Sequence, residues 1–195
     1  MNITSIAVFC GSSSGAETIY TQQAYALGRT LATEGLQLIY GGAKVGLMGA
    51  VADGVMEEGG QAIGVIPQFL RTKEIAHEGL TELILVETMH ERKTKMHELS
   101  DGIIALPGGF GTMEELFEML TWAQLGLHRK PIGLLNVQGF YDPLLAMADA
   151  MMHQGFLSKQ NRDMLIADEH IDTLLQQMRN YEAPEVGKWL DKDRT

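Results

Sequence analysis

Leu106-Pro107-Gly108-Gly109-Phe110-Gly111-Thr112-Met113-Glu114-Glu115 closes an apolar run that begins at Gly102, passes through three closely spaced glycines and opens directly into a helical pattern. Glycine admits positive φ and close backbone approach, while the first turn of a helix presents unpaired N–H groups and the positive end of its dipole. The stretch therefore reads as an anion site at a strand-to-helix junction. Glu114 and Glu115, with Glu118 one turn further on, stand beside it. Acidic residues near a helix start ordinarily only balance the dipole. Next to a bound phosphate, however, a carboxylate is repelled unless it faces another part of the ligand or meets a cation, so one of these glutamates is a candidate catalyst.

The same grammar occurs twice upstream. Ile6 to Cys10 is an apolar run broken by Gly11-Ser12-Ser13-Ser14-Gly15, after which Tyr20, Ala24, Leu27 and Leu31 recur at helical spacing. Leu36 to Tyr40 leads into Gly41-Gly42-Ala43-Lys44-Val45-Gly46, then into a helix with Met48, Val51, Ala52 and Val55 on one face, stopped by Gly59-Gly60. Ala62 to Ile66, Leu83 to Val86, Gly102 to Leu106, Ile132 to Leu135 and Met164 to Ile166 bring the expected strands to about seven. Near-continuous apolar strands alternating with helices predict an α/β, Rossmann-like fold: a doubly wound, largely parallel sheet with helices on both faces. Ligands collect at the carboxyl ends of such strands, so the three glycine loops are expected to converge on one crevice. The connection from Pro67 to Leu80, with Arg71, Lys73, Glu74 and His77, is expected to flank or cover it.

At 195 residues, with no change of composition between its halves, the chain reads as one domain over 1–182 followed by a charged tail, 183–195. A net charge of −10 argues against a nucleic-acid partner, which needs a basic face to release counterions. Cys10 is the sole cysteine, so an internal disulfide is excluded and a reducing compartment fits. The N-terminus lacks a basic segment followed by a long apolar one, and no apolar run reaches transmembrane length. The expectation is a cytoplasmic protein with no membrane partner.

Standard nucleotide fingerprints do not fit. Gly11 to Gly15 lacks G-x-G-x-x-G spacing, Gly42 to Gly49 lacks the G-K-[ST] of a P-loop, and the second strand ends in Tyr40 where a dinucleotide binder places an acid. None of the six histidines shows the i, i+4 pairing of a zinc helix, so no metal or other cofactor is expected. No G-x-S-x-G elbow surrounds Ser12, Ser13 and Ser14. The twelve methionines read as fillers of core and interface gaps, and Trp122 as a core or dimer contact.

Between the fourth and fifth strands, Met89-His90-Glu91-Arg92-Lys93-Thr94-Lys95-Met96-His97-Glu98-Leu99 reads as a helix. Met89, Arg92, Met96 and Leu99 are spaced three, four and three apart, which places Arg92 on the apolar stripe, whereas Lys93 and Lys95 fall on the outer face. A guanidinium so placed needs an anionic partner, either a carboxylate such as Glu115 or a ligand phosphate.

Gly41-Gly42 through Gly46-Leu47-Met48-Gly49, Met89-His90-x-Arg92-Lys93 and Pro107-Gly108-Gly109-x-Gly111-Thr112-x-x-Glu115 together resemble the LONELY GUY (LOG) family of cytokinin riboside 5′-monophosphate phosphoribohydrolases, over about Ile6 to Ile166. The resemblance implies hydrolysis of the N-glycosidic bond between an adenine-type base and ribose 5-phosphate. It implies Arg92 and Glu115 as the catalytic pair and Gly108, Gly109, Phe110, Gly111 and Thr112 as the phosphate loop, with Glu114 beside it. Lys93, Glu74 and Thr121 are implied as further ligand contacts, and Ser12, Gly42 and Met89 join the expected substrate-binding set. It also implies a homodimer or larger homo-oligomer with the site near the interface. Similar sequences often carry the label lysine decarboxylase, but no lysine here stands in a recognisable pyridoxal phosphate setting.

Overall fold

The computed structural model describes residues 2–70 and 76–184. Its strands are β1 (Ser5–Phe9), β2 (Gln37–Tyr40), β3 (Ala62–Pro67), β4 (Glu82–Val86), β5 (Gly102–Ala105), β6 (Ile132–Leu135) and β7 (Leu165–Asp168). Its helices are α1 (Thr18–Thr33), α2 (Gly46–Glu57), α3 (Met89–Leu99), α4 (Phe110–Gln124), α5 (Asp142–His153), α6 (Lys159–Arg162) and α7 (Ile171–Arg179). All seven strands are parallel and lie in the order β4-β3-β2-β1-β5-β6-β7. The expected Rossmann-like sheet is thus present. Its last strand begins one residue later than the apolar run suggested, because Met164 is buried just ahead of the ladder.

Alternation along β1 assigns the two faces of the sheet. Ile6, Val8 and Cys10 enter one core with Ala24, Leu27 and Leu31 of α1, Val51 and Val55 of α2 and Leu174 and Met178 of α7. Ala7 and Phe9 enter the other with Met96 of α3, Leu116 and Met119 of α4 and Tyr141 before α5. Side chains of a strand point to opposite faces in turn, so a strand apolar at every position must be covered on both.

Strand order reverses between β1 and β5, whose residues pair from Ile6 with Gly102 to Phe9 with Ala105. At such a switch point the following loops turn away from each other and leave a crevice beyond the strand ends. The elements around it start and stop where the sequence says they should. Gly59 takes φ +69° after α2, with Gly59 N–H donating to Met56 O (3.1 Å) and Gly60 N–H to Val55 O (2.9 Å), a left-handed helix stop. Thr88 caps α3 by accepting from Glu91 N–H at 3.1 Å. Among the described residues no helix is long and apolar enough to cross a membrane.

Candidate functional site

The three glycine loops meet at the switch point. Gly11 N–H donates to Pro107 O (3.1 Å) and Leu47 N–H donates to Gly11 O (3.0 Å), so the β1 loop is tied to both the β5 loop and the start of α2. Together they bound a cleft of about 310 Å³ whose wall includes Cys10, Gly11, Ser12, Gly41, Arg92, Gly109, Phe110, Gly111, Thr112 and Glu115. That volume suits a small ligand. Met48, Leu70, Met89 and Met96 supply an apolar side.

Gly109 is the N-cap of α4, and no side chain caps the helix there. The first intrahelical bond of α4 runs from Met113 N–H to Gly109 O at 3.1 Å, so the N–H groups of Phe110, Gly111 and Thr112 have no acceptor within the helix. All three residues line the cleft, and together with the helix dipole they make an anion site. A Cβ on Gly108 would overlap the Thr112 hydroxyl and come within 2.9 Å of Gly11 N, which explains glycine where the β1 and β5 loops touch.

Arg92 enters from α3, 5% exposed. Its Nη2 donates to Gly41 O at 3.0 Å and its Nη1 points to Met89 Sδ at 3.8 Å, while Nε has no hydrogen-bond partner among the described residues. A Cβ at Gly41 would collide with this guanidinium, so glycine is required there for close approach. Glu115, half-buried on α4, lines the same cleft. Cys10 lies on the floor between these charges. Burial, then the Glu115 carboxylate, pushes its thiol far up, and the Arg92 guanidinium offsets only part of this. That shift disfavours the thiolate, the nucleophilic form of cysteine.

The family model described as "Possible lysine decarboxylase" matches residues 48–178, more than half of the chain. Cytokinin riboside 5′-monophosphate phosphoribohydrolase LOG2 of Arabidopsis thaliana is 47% identical over 90% of this chain and 83% of its own length. The corresponding LOG protein of Oryza sativa is 45% identical over 90% of this chain and 73% of its own. This chain belongs to the LOG family. By structure it is similar to the molybdenum cofactor carrier protein of Chlamydomonas reinhardtii, with a TM-score of 0.69 and 20% identity over 92% of this chain and 100% of that one, a likeness of fold alone.

Against the LOG resemblance, the cleft gathers Ser12, Met89, Arg92, Gly109, Phe110, Gly111, Thr112 and Glu115. Gly108 lies just beneath it. Gly42 is displaced: Gly41 lines the cleft, while Gly42 at φ +78° accepts from His77 N–H (3.0 Å) and shapes the turn. His77 is buried against Asp53 of α2, Nε2 to Oδ1 2.9 Å, away from the cleft wall. Glu74, Arg71 and Lys73 lie outside the described residues, as do residues 185–195 of the tail. Thr121, three turns along α4, is exposed and donates its hydroxyl to Phe117 O at 2.7 Å, outside the cleft of this chain.

The outer-face assignment of Lys93 is overturned. It is 9% exposed and paired with Glu114 and Glu118 of α4, because α4 covers the side of α3 that spacing alone left open. Met96 needed no structure to be found, since it shares the apolar stripe of Arg92. Leu70 carried no signal, because only the chain path after β3 brings it to the cleft.

Proposed function

We propose that this LOG-family chain hydrolyses the N-glycosidic bond of an adenosine 5′-monophosphate, including N6-modified forms, releasing free base and ribose 5-phosphate. The observation that carries the reading is that the uncapped α4 N-terminus, Glu115 and Arg92 all line one small cleft. The N–H groups of Phe110, Gly111 and Thr112 hold the 5′-phosphate. Glu115 stands five residues beyond Phe110, about 7.5 Å along the axis at 1.5 Å per residue, a reach comparable with that from a 5′-phosphate to the anomeric carbon. As the C1′–N9 bond breaks, its electron pair leaves with the base, which takes up a proton, and positive charge develops on the sugar. The Glu115 carboxylate stabilises that charge and accepts a proton from the water whose oxygen bonds C1′. Arg92 holds the ligand and keeps the carboxylate side of the cleft electrostatically balanced. Binding energy spent on the phosphate, distant from the broken bond, fixes the sugar against the carboxylate. Met48, Leu70, Met89 and Met96 form the wall suited to an apolar substituent on the base.

The chain is further read as a homodimer or larger assembly. Phe110 (97% exposed) and Phe117 (41%) stand two turns apart on one stripe of α4, which continues to Thr121. In such a dimer the Thr121 hydroxyl belongs to the interface rather than to its own chain's cleft.

The purified chain, incubated with AMP, its N6-isopentenyl form and the corresponding nucleosides, is expected to liberate base from the monophosphates and little from the nucleosides, as read by chromatography. AMP that binds and remains intact would leave a nucleotide-binding protein in place of an enzyme.

A further inference from the structure

Lys93 follows Arg92 on α3, and Glu114 precedes Glu115 on α4. Consecutive helical residues are about 100° apart around the axis, so when Arg92 and Glu115 face the cleft, Lys93 and Glu114 are turned aside from it. They meet each other there: Lys93 Nζ lies 2.5 Å from Glu114 Oε1 and 3.1 Å from Glu118 Oε2, with its side chain only 10% exposed. Burial alone would lower the lysine, but the hydrogen bonds and charges of the two glutamates outweigh it and hold the ammonium above its ordinary value. Glu114 and Glu118 are four apart on one helix face, a spacing at which two carboxylates repel, and the ammonium between them removes that repulsion. The helices also meet at the edge contact of the His97 and Trp122 rings, centroids 5.3 Å apart at 82°, and through the core that Met96 shares with Leu116 and Met119.

We propose that Lys93, Glu114 and Glu118 form an ion-pair clamp that sets the rotation and spacing of α3 against α4, so that Lys93 positions Arg92 and Glu115 across the cleft instead of contacting phosphate. This rests on the hydrolytic reading above. To reach a phosphate at the α4 N-terminus the ammonium would have to abandon two carboxylates, of which Glu118, only 21% exposed, would be left uncompensated in a largely buried place, which is costly. A shift of about 1 Å between reacting groups costs on the order of a hundredfold in rate, so a clamp remote from the bond being broken is felt in turnover.

The test compares wild type, Lys93→Met, Lys93→Arg, Glu118→Gln and the Lys93→Met/Glu118→Gln double variant. It reads kcat and KM for base release from AMP, the calorimetric Kd of ribose 5-phosphate, and thermal stability. A clamp lowers kcat of Lys93→Met by about ten- to a hundredfold while the ribose 5-phosphate Kd stays within about threefold. Lys93→Arg, which retains the charge, recovers most of that loss, and the double variant is no worse than Lys93→Met because both remove one interaction. A ribose 5-phosphate Kd weakened tenfold or more, with Glu118→Gln behaving as wild type, makes Lys93 a phosphate contact and overturns the proposal. Lowered stability with unchanged kcat below the unfolding range also overturns it, since the pairs would then be structural only. If Lys93→Met does not fold, kcat and Kd of Glu118→Gln decide by the same criteria. An inactive wild type sinks the hydrolytic reading itself, whereas an active wild type with normal variants sinks only the clamp.

Discussion

Glu114 and Glu115 are neighbours of identical chemistry that the fold sends to different tasks. Glu114 spends its charge on Lys93, whereas Glu115 is presented to the cleft beside the α4 N-terminus. The sequence marked the pair as candidates, because two acids next to an anion site need a reason to be there. It could not choose between them, since helical phase relative to the sheet is set by packing of Leu116 and Met119 into the core. The consequence is measurable. Glu115→Gln keeps size and shape and removes the negative charge and the proton acceptor, so AMP binding by calorimetry is expected to survive within a few-fold while base release falls by about a hundred- to ten-thousand-fold. Near wild-type turnover in that variant would move the chemistry to another residue. Arg92 was legible for a related reason: a guanidinium on an apolar stripe is a conflict of local rules, and such conflicts gather at functional sites. Its main-chain acceptor, Gly41 O, was not legible, because that bond spans two loops brought together only by the sheet.

At the scale of the element, α3 was read from the sequence over Met89 to Leu99 and forms over those same residues. Its C-terminal half carries a cluster that spacing did not announce. His97 packs edge-on against Trp122 and at 4.9 Å from the ring of His128, its Nδ1 is buried without a hydrogen-bond partner among the described residues, and the Lys130 ammonium donates to its backbone oxygen. Burial first, then the charges of Lys130 and His128, lowers the His97 pKa to about 4. Burial lowers His128 as well, against the bond its Nε2 makes to Met119 O. The folded state thus prefers both rings neutral, and the unfolded chain binds protons more readily between the two values. The stability so contributed is fully present above the ordinary value of 6.5 and is lost as pH falls toward about 4. Thermal unfolding followed from pH 7 down to pH 4 is expected to show the midpoint falling through that window, and His97→Gln to flatten the slope. An unchanged slope in the variant would place the acid sensitivity elsewhere.

At the scale of the whole molecule, the exposed stripe of Phe110 and Phe117 lies beside the mouth of the cleft, and apolar surface of that kind is costly to leave in water. In the assembly read from it, Phe117→Glu is expected to shift the sedimentation coefficient toward that of a monomer and to lower turnover with it. Unchanged sedimentation would remove the stripe as an interface. By itself the amino-acid order determined the seven strands, the three glycine loops at strand ends and the placing of an arginine on an apolar helix stripe and of acids beside an anion site, since all of these follow from periodicity, turn chemistry and helix ends, which are local. Tertiary structure alone decided which glycine of the second loop faces the cleft, that Lys93 is covered and bound to two glutamates, and that Leu70 completes the apolar wall. Each of those depends on which surface of one element another comes to cover, and that is a property of packing between segments distant in the chain, invisible to any window along it.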